Sequence, residues 1–257
     1  MNAFQPPSPR TANAAAGPTT GSATTQDNPP VRGAGWASLL QGLLIFIPIA
    51  ILGSAINWPA SLGDPATTML PRIAENEGAV RLGYLAYLTY SVLFGITVVL
   101  LARLVEGHLP AGARRLLVGF AIASVVARCL GIVRWLAPMP VLADSYGEAE
   151  DDAQRYAIAQ VYDAVNAWGG TIGEALGVGL FAALALGLLA TGMLRAREIP
   201  RWIAVWAMAS AAAVLMNVVE LFGVDIGPLS TVTVTVVQLW FLATGMWLLI
   251  RGRRVYA

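Results

Sequence analysis

The chain contains no lysine: all 16 of its basic residues are arginine. A retinal or pyridoxal Schiff base needs a lysine amine, so neither can form. A single cysteine, Cys129, excludes an internal disulfide, and a single histidine, His108, leaves haem, iron–sulfur and zinc sites short of the ligands they usually draw from these residue types. No cofactor and no metal is therefore expected. Charge is scarce too. Only 12% of residues are charged, and a formal net charge of +1 with a pI near 7.9 carries no nucleic-acid signature. What is plentiful is apolar surface: 57% of the 257 residues are hydrophobic and the mean hydropathy is +0.65, which argues for a membrane protein rather than a soluble globule.

Residues 1–35 are rich in Pro, Ala, Thr, Gly, Ser and Asn and hold almost no large apolar side chain. They cannot bury enough surface to offset the entropy cost of ordering, so a disordered cytoplasmic tail is expected there. It does not read as a secretory signal, because the first apolar run starts at Trp36 and is too long. That run, residues 36–58, has no charge and as a helix would be about 34 Å long, enough to cross a hydrocarbon core of about 30 Å. Five further spans are expected at 83–102, 116–137, 171–194, 202–223 and 229–250, so residues 36–257 form the transmembrane domain. Pro48 should bend helix one, and Trp36, Trp58, Trp135 and Trp202 stand where an aromatic belt would be. The fold class is all-α: a polytopic six-helix bundle.

The arginines set an expected orientation, since basic residues stay on the cytoplasmic side of short loops. With the N-terminus inside, eleven of the sixteen arginines and three acids fall on the cytoplasmic face, giving +8, and the rest of the chain carries −7. Both termini are thus expected in the cytoplasm of a bacterial inner membrane. Two outer connections are long. In the second, Ile158, Val161, Tyr162, Val165 and Trp168 recur at helical spacing after Asp151 and Asp152, which suit a first helical turn. An amphipathic helix is expected there, lying on the surface or running into helix four.

Arg128 stands about 18 Å into helix three, near the middle of the bilayer, where insertion costs roughly 2.5 to 3.5 kcal/mol. It should face the bundle interior or a wet cavity. Arg134 follows near the outer interface. The candidate acceptors are Glu174, Glu220 and Asn217 at outer depths, Asp163 on the amphipathic segment and, nearly level with Arg128, Gln238; Tyr84, Tyr87 and Tyr90 step down helix two. These residues suggest a polar pocket in the outer half, formed by helices two to six. They can be read as interhelical pairs that fix packing, Arg134 with Glu174 and Arg128 with Glu220 or Gln238, or as a site in which one arginine stays free for an anion. Gly169, Gly173 and Gly177 make a small-residue row suited to close helix contact. No nucleophile–base pair is visible, so catalysis is not the expected role.

Three stretches carry a resemblance: VRLGYLAYLTYSVLFGITVVLLARL (80–104), LGIVRWLAPMPVLA (130–143) and NAWGGTIGEALGVGLFAALALG (166–187), the last followed by Pro200-Arg201-Trp202 at the entry to helix five. In their order the chain resembles the six-helix bacterial and archaeal membrane proteins of domain-of-unknown-function family 4386, from about Trp36 to Ile250. The resemblance implies the fold and a plasma-membrane location, and no activity. It draws attention to Arg134, Asn166 and Glu174, which lie inside the matching stretches. The expected function is binding or transport of a small anionic or amphipathic molecule or lipid, with Arg128, Arg134, Glu174, Glu220, Gln238 and Asn166 as ligand-binding residues. The alternative is a structural or accessory subunit without ligand or activity. Expected partners are the bilayer, an anionic lipid or small molecule, and a second membrane protein or another copy of the chain.

Overall fold

A computed structural model describes residues 29–224 and 228–252, and every regular element among them is helical. Six helical runs are long and apolar enough to cross a membrane, from Pro30–Ile56 to Thr231–Arg251, and each coincides with an expected span. The protein is a multi-pass helical bundle. Leu40, Leu82, Ile122 and Val205 point outward, as they do where lipid is the solvent. The expected tail falls on residues 1–28, outside the described ones, and on 29–35, which are already helical.

The first span begins earlier than its apolar run because α1 (Pro29–Leu44) opens on two prolines, which the first turn tolerates, and buries Val31 and Ala34 in the core. It breaks at Ile45 before resuming as α2 (Phe46–Ile56). Pro48 cannot donate to the Leu44 carbonyl and its ring crowds that oxygen, so the interruption falls just upstream of it. The break redirects the chain. Whereas α1 packs on both α4 (Glu77–Leu104) and α10 (Pro228–Trp247), α2 packs chiefly on α4 and leaves α10.

The third span is α5 (Ala111–Leu136). The fourth is one unbroken rod of α7 (Asp152–Gly170), a π-helical segment (Thr171–Phe181) and α8 (Ala182–Arg195). The amphipathic segment therefore runs into helix four rather than lying on the surface. Its inward stripe is buried Tyr162 with partly buried Ile158 and Val165, while Val161 and Trp168, one step round the helix, face outward. Asp151 caps α7 by accepting the Gln154 amide at 2.8 Å. Asp151→Ala should lower the unfolding midpoint of detergent-purified protein by the equivalent of about 1 kcal/mol, the usual worth of such a cap.

At one end of the bundle α3 (Ala66–Glu75), α6 (Pro138–Glu148) and the first half of α7 pack together as a cap. The apolar patch Met69, Leu70 and Ile73 is its buried underside. The fifth span is α9 (Arg201–Leu215), followed by a 3-10 segment (Met216–Phe222); α10 is the sixth. The alternating threonines of α10 are helical, and Thr235 Oγ1 donates to the Thr231 carbonyl at 2.8 Å. Two apolar clusters result. One, with Tyr84, Ile132 and Trp135, lies under the cap; the other, with Phe94, Ala121 and Phe241, fills the opposite half. The polar residues of the bundle centre fall between them.

Candidate functional site

Helices three and four meet along a line where almost nothing but backbone separates them. On α5, Arg134, Gly131 and Arg128 succeed one another at three-residue steps, and the rod presents Gly169, Gly173 and Gly177 to them in antiparallel order. A methyl group on Gly169 would strike the Arg134 side chain at 2.4 Å; one on Gly177 would reach the Arg128 Cγ at 3.0 Å. The glycine row thus gives the Arg134 guanidinium and the stem of Arg128 a bed, and lets the two helices touch at Gly131–Gly173. Ser124, fully buried, donates to the Gly177 carbonyl at 2.7 Å. A hydroxyl inserted into the carbonyl ladder is one recognised cause of irregular helix, and here it coincides with the π segment.

A cavity of about 240 Å³ opens beside this seam, between the two apolar clusters. Its lining contains Arg128, Arg134, Glu174 and Gln238, together with Asn217, Tyr84 and Tyr87. Two guanidiniums and one carboxylate leave it formally +1. All six spans contribute, so helix one, through Ile45, Phe46 and Ile49, joins the helices two to six expected from the sequence.

The two arginines differ in how they are satisfied. Arg134, 4% exposed, donates to the Gly131 carbonyl at 3.1 Å and to Glu174 Oε1 at 3.5 Å, and lies beside the Trp135 ring at 5.3 Å. It is held within its own pair. Arg128, 6% exposed, lies with its guanidinium 4.2 Å from the centre of the Phe94 ring; its Nε, like that of Arg134, has no hydrogen-bond partner among the described residues. Among the described residues no carboxylate pairs with it. Of the two readings the sequence left open, pairing holds for Arg134 with Glu174 and fails for Arg128.

The remaining expected residues separate in the same way. Gln238 does not reach Arg128: its Nε2 donates to the Tyr90 hydroxyl, and its Oε1 is left buried without a partner. Asn217 donates to the Val214 carbonyl at 2.9 Å and to Thr233 Oγ1 at 3.2 Å. Glu220 stands in the 3-10 segment and does not line the cavity. The 3-10 winding after Leu215 changes the angular position that an α-helix would have given it. Asn166 does not line the cavity either; its Nδ2 donates to the Leu62 carbonyl at 3.0 Å and ties α7 to the segment after α2. Trp58 and Trp135, which the sequence placed in an aromatic belt, form part of the wall. Trp135 stacks on Tyr84 with ring centres 5.0 Å apart, and Trp58 meets Tyr87 edge-on at 5.3 Å. Gly131 and Ser124 went unnoticed in the sequence, because a lone glycine or serine in a membrane helix carries no signal until its neighbour is known.

Glu174 is 40% exposed along its side chain, so its bond to Arg134 is partly screened and well below the strength of a fully buried pair. Glu174→Ala should nevertheless leave Arg134 with one carbonyl for a partner. We expect a fall in unfolding midpoint equivalent to about 1 to 2 kcal/mol, read by thermal denaturation of purified protein; no change would mean that the pair contributes nothing.

A family model described as "Domain of unknown function (DUF4386)" matches residues 36–252. No curated protein and no solved structure matches the chain.

Proposed function

Since the chain belongs to the DUF4386 family, whose description assigns no activity, its own geometry must carry the reading, and we propose that it binds a small anionic or amphipathic molecule in the cavity beside Arg128. The observation that carries this is a buried guanidinium with no carboxylate partner among the described residues, facing a cavity of about 240 Å³. A charge at the centre of a membrane helix is costly and is ordinarily offset by a partner. Arg134 has one in Glu174; among the described residues Arg128 takes only the face of Phe94, which attracts a cation without neutralising it. An anion in the cavity completes the site. Its charge-assisted hydrogen bonds to the guanidinium would be strong because the guanidinium is buried.

The orientation supports an outward-facing site. Arg103, Arg114, Arg195 and Arg201 lie at the span ends opposite the cap. The positive-inside rule assigns those ends to the cytoplasm of a bacterial inner membrane, with both termini on the same side. The cavity then occupies the outer half, lined on the side of the cap by Trp58, Pro59 and Leu62.

Thermal unfolding in a neutral maltoside detergent tests the reading. Octyl phosphate should raise the midpoint of wild-type protein, by the equivalent of about 2.7 kcal/mol at a hundred times its dissociation constant. Octyl glucoside should not, and Arg128→Gln should abolish the response. An equal shift in wild type and variant, or none in either, would overturn the proposal.

A further inference from the structure

The cavity is walled unevenly, and its exposed lining residues all come from two helices. Phe46, 55% exposed, and Ile49 belong to α2; Thr231, Thr235 and Leu239 belong to α10. The opposite wall, with Tyr84, Trp135 and Gly173, is buried. This follows from the break at Ile45. Up to that point the first span clasps α10 closely: a methyl group on Gly42 would meet Leu242 at 2.5 Å, and one on Gly245 would meet the Leu39 amide at 2.7 Å. Beyond it α2 turns onto α4, and the two helices part. The gap between them lies along two membrane spans, so it faces hydrocarbon.

We infer that the ligand is a single-chain anionic amphiphile that enters from the bilayer through the gap between α2 and α10, its headgroup on Arg128 and its tail left between the two helices. This rests on the anion reading of Arg128 and narrows it. An apolar cavity of roughly 150 Å³ holds one benzene, so about 240 Å³ admits a headgroup and the first methylenes of one chain but not a diacylglycerol backbone with its two chains. The remainder of the tail must stay outside, and the gap is the opening that allows it. Apolar Phe46, Ile49 and Leu239 at the rim suit a methylene chain, while the cationic group lies deeper, at Arg128. A fatty carboxylate and a monoalkyl phosphate share this chemistry.

The test uses the full chain in nanodiscs of phosphatidylcholine, with tryptophan fluorescence as readout because Trp58 and Trp135 line the wall. The probes are oleate, oleyl phosphate, oleyl alcohol, inorganic phosphate and dioleoyl phosphatidate. Oleate or oleyl phosphate should saturate the signal at concentrations about tenfold or more below inorganic phosphate, and the tighter of the two identifies the headgroup. Arg128→Gln should weaken both about tenfold. Thr235→Phe, an exposed position at the rim, should slow their association several-fold and leave inorganic phosphate unaffected, with Thr235→Val as a control for folding. Inorganic phosphate binding as tightly as oleyl phosphate, with Thr235→Phe silent, would overturn the bilayer route while leaving Arg128 an anion site. Dioleoyl phosphatidate binding as tightly as oleate would overturn the single-chain assignment. Loss of all Arg128 dependence would overturn this inference and the anion reading together.

Discussion

Gly131→Ala should lower the unfolding midpoint of the purified protein by the equivalent of about 3 kcal/mol, the upper end of what overpacking a tight contact costs. The added methyl group would sit 2.7 Å from the Gly173 Cα and 2.8 Å from the Gly169 carbonyl. Both obstacles are backbone, so no rotamer change can relieve them, and α5 must move away from the π segment. That movement would also disturb the Arg134 bond to the Gly131 carbonyl and the cavity wall. Gly173→Ala meets its nearest atom at 3.1 Å and should cost less. Gly119→Ala on the same helix meets nothing within 4 Å and should be neutral or stabilising by up to about 1 kcal/mol, as alanine is the better helix former. Equal effects at Gly131 and Gly119 would refute the close-contact account.

Arg128→Gln should leave the midpoint of the ligand-free protein unchanged or higher, the opposite of what a paired membrane arginine does. The substitution relieves an insertion cost of roughly 2.5 to 3.5 kcal/mol and forfeits a cation–π contact worth about 2 kcal/mol or less. No carboxylate among the described residues is left behind uncompensated. Had Arg128 been locked in a buried ion pair, removing it would have cost roughly 3 to 5 kcal/mol. A fall of that size would make Arg128 structural glue and end the case for a free anion site. An unchanged or raised midpoint, together with a lost response to octyl phosphate, would mark a charge kept at the expense of stability for the sake of function.

Residue by residue, legibility followed the range of the interaction. The six spans could be read because a membrane helix must satisfy its backbone internally and be apolar over its whole length, a property of one segment at a time. Pro48 announced a bend, which the structure makes a break at Ile45, because the clash is with a carbonyl four residues away. Arg134 with Glu174 was legible as a pair, since burial in lipid compels a charge to seek its opposite. Glu220 and Asn166 do not line the cavity, because depth along a helix does not give the direction a side chain faces once the helix winds as 3-10 or leaves the bundle for the cap.

The sequence by itself therefore determined the all-helical membrane bundle, the arginine asymmetry between its two ends and the presence of a charge deep within a membrane span. Only the tertiary structure decided which arginine has a carboxylate partner among the described residues and which has none, that a single glycine at position 131 is the contact point of two helices, and that the cavity opens between α2 and α10. The reason is physical. Hydrophobicity and the backbone's own hydrogen bonds act within a segment and are written in its local pattern, whereas pairing, close approach and the parting of two helices depend on which surfaces meet, and residues far apart in the chain settle that jointly.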